Sequence, residues 1–201
     1  LTEHHFQYEG YEVLPNLILF GQHLAMLTKD LRLGQMFNVV PQWHPLRLAE
    51  DFAIADIITA THAPIVATVG NPFTCIEVKP EALARCVPDI RAHAAIRDSD
   101  PSLHGRFALY VYARDGANVR ARMFAPLAGT WEDSATGSGA TPLAGLLLHH
   151  SDRSEVAFDI RQGVEMGRPS TLSVTARREG ANILTTVAGR CVPVLRGEAQ
   201  L

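Results

Sequence analysis

Alternation of apolar and polar residues predicts short strands along most of the chain. The clearest pair is "FALYVYAR" and "VRARMFAP", because the Asp115-Gly116 step between them is a typical hairpin turn. Glu179-Gly180 predicts a second turn between strands. The predicted strands are "APIVATVG" (63–70), "FTCIEV" (73–78), "FALYVYAR" (107–114), "VRARMFAP" (119–126), "VAFDIRQG" (156–163), "STLSVTARRE" (170–179) and "NILTTVAGRCVPVLRG" (182–197), with further short strands in 6–42.

Helical patterns are few by comparison. "TPLAGLLLHH" (141–150) is apolar on most of its faces, which predicts a buried helix. "KPEALARCVPD" (79–89) predicts a helix that starts at Pro80 and stops before Pro88, and a short helix is expected in 44–59. Many strands around one apolar helix indicate the α+β class, with a strongly curved, mixed or antiparallel sheet wrapped around a central helix.

Composition narrows the class of protein. With 201 residues, 47% of them hydrophobic, the chain can bury a core as one domain or two small lobes. A net charge of −3 gives no indication of a nucleic acid or membrane partner, and no apolar run approaches the length of a membrane span. The three cysteines, Cys75, Cys86 and Cys191, lack CxxC spacing, which argues against a disulfide framework or a zinc site and favours a cytoplasmic location.

The stretch "WEDSATGSGATPLAGLLLHH" (131–150) carries the candidate chemistry. The first backbone N–H groups of a helix lack internal partners, and the helix dipole places partial positive charge there. Gly137 and Gly139 leave room for a ligand and Ser138 adds a hydroxyl, so the helix start predicts a carboxylate or phosphate site. Asp133, on the loop before it, is placed to act as a general acid or base on an atom next to the bound carboxylate.

A purely structural interpretation of this stretch remains open. Ser138 or Thr136 would then be the N-cap of a buried helix, with the glycines as turn residues and the acids interacting with the dipole. Arg122 either pairs with a carboxylate in a cleft or is an exposed strand residue. His149 and His150 fit a surface cap at the helix C-terminus better than a metal site.

Three stretches together resemble the PhzF-like family, the phenazine-biosynthesis isomerase family. They are "RMFAPLAGTWEDSATGSGATPLAGLLL", "GNPFTCIEVKPEALARCVPD" and "RQGVEMGRPSTLSV" followed by "VAGRCVPVLRG". The resemblance covers about residues 36 to 197. It implies the diaminopimelate-epimerase type of fold, in which two similar lobes each wrap a curved sheet around a helix and the active site lies between them.

The resemblance also implies a function. PhzF-like proteins move protons on small carboxylate substrates by acid–base chemistry, with neither metal nor cofactor, and pair as homodimers. Asp133 matches the family's motif aspartate, which implies a catalytic role, while Thr136, Gly137 and Ser138 match the region that binds substrate. Thr136 stands where related cysteine-based racemases carry a thiol, and a threonine hydroxyl is too weak an acid to replace it.

The resemblance further predicts how the chain is divided. Residues 1–35 would be the tail of a first lobe and 36–201 the C-terminal lobe of a PhzF-like protein. The family's first-lobe glutamate and its Gly-His motif have no counterpart in this sequence, so the main acid–base residue is not assigned. The leading hypothesis is therefore a PhzF-like isomerase or epimerase, and the alternative is a non-catalytic small-acid-binding module or an incomplete lobe that needs a partner.

Overall fold

The computed structural model describes residues 61–100, 107–115 and 118–193, together with the separate positions 24, 27, 57, 58, 103, 196 and 197. The strands predicted in 6–42 and the helix predicted in 44–59 lie outside the described residues, apart from isolated positions. The proposed boundary between 1–35 and 36–201 also lies outside them and stays a prediction.

Eight strands and three α-helices make up the described part of the chain. The strands are β1 (Ile65–Thr68), β2 (Pro72–Glu77), β3 (Leu109–Asp115), β4 (Asn118–Ala125), β5 (Thr130–Asp133), β6 (Glu155–Gln162), β7 (Ser170–Glu179) and β8 (Asn182–Gly189). The helices are α1 (Pro80–Leu83), α2 (Ile90–Ser99) and α3 (Gly137–His149), with a 3₁₀ turn at Pro126–Ala128.

All eight strands belong to one mixed sheet. Its order is β1-β2-β3-β4-β6-β7-β8, with β5 paired to β4 beside this path. The β2–β3 and β4–β6 pairs are parallel and the other pairs are antiparallel. Helix α3 contacts strands near both ends of this order, from β1 and β2 to β6, β7 and β8, so the sheet curls around it. The predicted α+β class and the curved sheet around a central helix are confirmed.

The core lies between α3 and the concave face of the sheet. Leu143, Ala144 and Leu148 of the helix are fully buried there, against residues of the sheet such as Tyr110 and Ile160. A smaller apolar cluster lies on the opposite face of the sheet, where α1 packs on β3 and β4. No helix within the described residues is long and apolar enough to cross a membrane.

The structure differs from the predicted helices in three places. Helix α1 covers only Pro80–Leu83 of the predicted 79–89, because the turns after it tighten and several carbonyls there bind a side chain of β4 instead of continuing the helix. Helix α2 was not predicted, although Asp89 caps it by accepting hydrogen bonds from the N–H groups of Arg91 and Ala92. Helix α3 begins at Gly137, directly after the predicted N-cap candidate Thr136 and four residues before the apolar pattern that starts at residue 141, so Pro142 lies in its second turn.

Candidate active site

The start of α3 is positioned by an end-to-end arrangement of two strands along one edge of β4. Strand β6 pairs with the first half of β4, up to Gln162 opposite Ala121. Strand β5 pairs with the second half, where Asp133 lies opposite Met123. Gln162 and Asp133 therefore end at the same point of the sheet, although 29 positions separate them in sequence.

The loop from Asp133 to Thr136 leads directly into the helix. Thr136 is the N-cap residue, and its carbonyl accepts hydrogen bonds from the N–H groups of Gly139 and Ala140. Its hydroxyl does not cap the helix but donates to Asp133 Oδ2 at 2.8 Å. Among the described residues, nothing accepts a hydrogen bond from the N–H of Gly137 or Ser138. The helix start thus presents two unpaired donors beside a carboxylate.

Gln162 fastens this loop to the sheet. The side chain is fully buried, and its Nε2 donates to Asp133 O and to Thr136 Oγ1, both at 2.8 Å. Its Oε1 accepts from the Thr136 N–H at 3.3 Å and from the Tyr110 hydroxyl at 3.0 Å. One amide therefore satisfies three groups of a short irregular loop and one group of β3, which fixes the loop relative to the sheet.

Two close approaches leave no room for side chains around the loop. A Cβ built on Gly139 would lie 2.6 Å from Cδ2 of the Tyr110 ring, so the first turn of α3 rests directly on β3. Gly163 has a φ of 75°, and a Cβ there would lie 2.4 Å from the carbonyl oxygen of Arg168 and 2.9 Å from that of Ser134. Glycine is required at both positions by the packing of the loop.

Glu132, the first acid of the motif, is not available to a ligand. Its side chain lies on the α1 side of the sheet and forms a two-point ion pair with Arg122, with both N···O distances 2.8 Å. Arg122 Nη1 also donates to the carbonyls of Leu83, Ala84 and Cys86 after α1. The hydrogen bonds to Glu132 raise the pKa of Arg122 further above its ordinary value. Neither role considered for Arg122 is observed, because the residue is buried and the carboxylate that it pairs with is the buried Glu132 rather than one in a cleft.

Asp133 faces the other side of β5 from Glu132, because successive side chains of a strand alternate. Trp131 shares that side and is 55% exposed, so it is not a core packing residue. On the other flank, a Cβ on Gly137 would lie 3.6 Å from Cγ1 of Val187 in β8, an ordinary contact. Val187 is itself 40% exposed, which gives the helix start an apolar neighbour in addition to its polar groups.

The histidines and cysteines considered from sequence lie elsewhere. His149 and His150 end α3 on the surface, where His150 stacks on His62 at 5.6 Å between ring centroids. Partial burial and then the neighbouring His62 and His149 lower the pKa of His150. Cys75 is completely buried, which raises its pKa to about 12. No group of His, Cys, Asp and Glu able to hold a metal ion occurs among the described residues.

The sequence comparison decides the family. Residues 42–197 match the sequence model of PhzC-PhzF, described as phenazine biosynthesis-like protein. The chain belongs to the PhzC-PhzF family. Two relatives of this PhzC-PhzF protein are named trans-2,3-dihydro-3-hydroxyanthranilate isomerase. The one from Pseudomonas chlororaphis is 40% identical over 161 residues, which are 77% of this chain and 53% of that protein. The one from Pseudomonas aeruginosa is 34% identical over 175 residues, which are 83% of this chain and 58% of that protein.

The structural comparison agrees on the fold. The PhzF-family protein of Bacillus anthracis has a similar fold, with a TM-score of 0.57 at 16% identity. The similarity covers 67% of this chain and 48% of that one. This PhzC-PhzF chain spans about half the length of the curated relatives and of the solved structure that it matches. The predicted PhzF-like resemblance and the predicted α+β fold, with its curved sheet around a helix, are therefore confirmed; the division into two lobes stays a prediction.

The geometry brings the four predicted site residues together and adds others. Asp133, Thr136, Gly137 and Ser138 all lie at the start of α3, and their catalytic and binding roles stay predictions. Thr136 is buried and its hydroxyl already has two partners, so a contact with substrate would not come from that hydroxyl. Sequence reasoning missed Gln162. The signal was its place in "RQGVEMGRPS", a stretch used for the family resemblance but given no role.

Proposed function

We propose that this chain forms the carboxylate-binding side of a PhzF-like isomerase site, which moves a proton on a small acid. The proposal is supported by the family membership, by relatives that are named isomerases, and by the pairing of unused helix donors with Asp133. That pairing is the observation that carries the proposal. Moving a proton within one molecule is redox-neutral, so the reaction class requires no electron-transferring cofactor.

The carboxylate would bind at the N–H groups of Gly137 and Ser138. Both donors are free within the described residues, and the dipole of the 13-residue helix α3 adds partial positive charge at the same place. The exposed Ser138 hydroxyl is a third donor. The fold does not require glycine at position 137. Its backbone is not in the left-handed region, and a Cβ there would make only an ordinary van der Waals contact. Access for a ligand is a sufficient reason for glycine at that position.

Asp133 would carry or orient the proton next to the bound carboxylate. It is half-buried, and its carboxylate lies within hydrogen-bonding distance of the residue that caps the helix. A 1,3-shift or an epimerisation needs a proton to be removed from carbon and returned to carbon, by one acid–base group or by two. We assign one of these roles, or the orientation of the proton carrier, to Asp133. The main acid–base residue, as the family resemblance implies, would come from a first lobe outside the described residues.

The test uses the full-length gene product with trans-2,3-dihydro-3-hydroxyanthranilate, the compound in the relatives' names, in D₂O. Proton NMR would follow both isomerisation and deuterium incorporation. We expect Asp133→Asn to lower turnover by about 10²–10⁴-fold, the range of general acid–base catalysis. Ser138→Ala should instead raise KM by about 10-fold, because a hydrogen bond to a charged group is lost. Asp152→Asn, in the exposed turn after α3, is the matched control and should leave both constants unchanged.

Two outcomes would contradict the proposal in different ways. Unchanged turnover and affinity in both Asp133→Asn and Ser138→Ala would refute the assignment of the site. Saturable binding of the acid without any deuterium incorporation by the wild-type protein would instead support the alternative, a non-catalytic small-acid-binding module. Calorimetry with the same compound measures that binding.

A further inference from the structure

The orientation of the Gln162 amide is fixed by two partners that can each bond in only one direction. The backbone N–H of Thr136 can only donate, so the atom 3.3 Å from it is the amide oxygen. The carbonyl of Asp133 can only accept, so the atom 2.8 Å from it is the amide nitrogen. A flipped amide would face both partners with the wrong atom. With the amide fixed, the donor and the acceptor in each of the remaining hydrogen bonds of Gln162 are known as well.

The fixed amide also determines which hydrogen bonds the Thr136 hydroxyl accepts and donates. The second hydrogen of Gln162 Nε2 points to Thr136 Oγ1, at 2.8 Å, so this oxygen acts as an acceptor there. The hydroxyl hydrogen is then left for the other neighbour, Asp133 Oδ2, also at 2.8 Å. The result is a directed chain of donors from the amide through the hydroxyl to the carboxylate. All of it lies at a position where both Gln162 and Thr136 are buried from solvent.

The chain makes the two oxygens of Asp133 unequal. Oδ2 receives the Thr136 hydroxyl, whereas Oδ1 receives only the Ala135 N–H at 3.5 Å, the limit of a hydrogen bond. We propose that Gln162 and Thr136 are positioning residues that hold Asp133 through Oδ2 and present Oδ1 to the substrate. The inference rests on the proposed function, and it assigns the reacting oxygen and the two residues that select it.

A purely structural role does not need the last bond of this chain. The three bonds from Gln162 to the loop fasten it to the sheet, whereas the bond from the Thr136 hydroxyl to Asp133 Oδ2 lies within the loop and adds no attachment. The hydroxyl of Thr136 adds nothing to the helix cap, since it makes no bond to the helix backbone. Its bonds go to Gln162 and to the carboxylate, so its removal releases Asp133 Oδ2 while two bonds from Gln162 to the loop backbone remain.

The test compares two substitutions of Thr136 in the full-length protein. Thr136→Val keeps the shape and the backbone bonds but removes the hydroxyl, whereas Thr136→Ser keeps the hydroxyl. We expect Thr136→Val to lower kcat by about 10–100-fold with KM changed less than about 3-fold, because the carboxylate is misplaced while the helix donors remain. Thr136→Ser should restore kcat to within about 3-fold of wild type. Thr175→Val, on the outer face of β7, is the control and should change neither constant.

A second measurement follows the amide itself. In ¹⁵N-labelled protein, the Gln162 side-chain N–H pair should show two hydrogen-bonded protons, and Thr136→Val should shift one of them while the other stays. Gln162→Leu should lower kcat at least as far as Thr136→Val. If that variant does not fold, the Thr136 pair still decides the question.

The outcomes separate this inference from the proposed function. Normal kcat in Thr136→Val together with lost activity in Asp133→Asn would overturn the inference and leave the proposed function standing. A rise of KM alone in Thr136→Val would overturn it too, because the hydroxyl would then serve binding. Full activity in Asp133→Asn, or a wild-type protein without deuterium incorporation, would refute the proposed function and the inference together.

Discussion

The ion pair between Arg122 and Glu132 should be one of the most sensitive points of this domain. Both side chains are less than a tenth exposed, and five hydrogen bonds converge on the guanidinium. Removing one partner of a buried pair leaves an uncompensated charge and typically costs about 3–5 kcal/mol. Since whole domains are stable by only about 5–15 kcal/mol, Glu132→Leu should consume a large share of the free energy of unfolding.

The size of the effect should differ between the two partners. Arg122→Met leaves the Glu132 carboxylate unpaired and also removes the donor from three backbone carbonyls, so it should cost more than Glu132→Leu. The double variant removes both charges. It should therefore be more stable than the sum of the single effects predicts, by about 2 kcal/mol, within the usual range of coupling between residues in contact.

Urea unfolding, followed by circular dichroism, measures the free energy of unfolding of the wild type, the two single variants and the double variant. The slope of the transition is compared between variants. The control is the exposed pair of Arg97 and Asp98, where Asp98→Asn should cost no more than about 1 kcal/mol. The reasoning would be refuted by a loss under about 1 kcal/mol in Glu132→Leu. Additive single effects in the double variant would refute the direct coupling.

Three further predictions test the helix start and the thiols. Gly139→Ala should destabilise the domain by about 1–3 kcal/mol despite the better helix propensity of alanine, because the new Cβ overlaps the Tyr110 ring; urea unfolding measures this. Gly137→Ala should leave the unfolding free energy nearly unchanged but weaken carboxylate binding about 10-fold by calorimetry, and equal affinity would contradict the binding site. Burial and a pKa raised to about 12 keep Cys75 a neutral thiol at pH 8, so a thiol reagent should modify exposed Cys191 and reach Cys75 only after unfolding.

Sequence patterns predicted the parts of this fold that depend on local periodicity. The hairpin strands β3 and β4 form where they were predicted, although both of their faces are buried, whereas burial along β7 follows the alternation; the central helix follows its apolar composition. The apolar pattern alone marks that helix only from residue 141, because Gly137 and Gly139 lower helix propensity, whereas the N-cap candidate Thr136 gave the observed start. Tertiary contacts with Tyr110 and Gln162 compensate for this weakness, and no local pattern contains them.

The candidate site was predicted only as far as it is continuous in sequence. Asp133, Thr136, Gly137 and Ser138 lie in one stretch, and the motif pointed to all of them. The role of Gln162 depends on β5 and β6 ending at the same edge of β4, a long-range fact. Glu132 belongs to the same sequence motif but not to the candidate site, because its carboxylate pairs with the buried Arg122.

The attachment of the 133–136 loop to Gln162 has a consequence for dynamics. Its anchoring bonds bridge 26 and 29 sequence positions and end on a buried side chain between paired strands, so the loop cannot open without disturbing the sheet. The amide hydrogen of Thr136 should consequently exchange with solvent as slowly as those of the central strands, not as those of surface loops do. The loop is then a rigid platform rather than a lid, so a ligand that binds there as proposed would meet groups that are already in place.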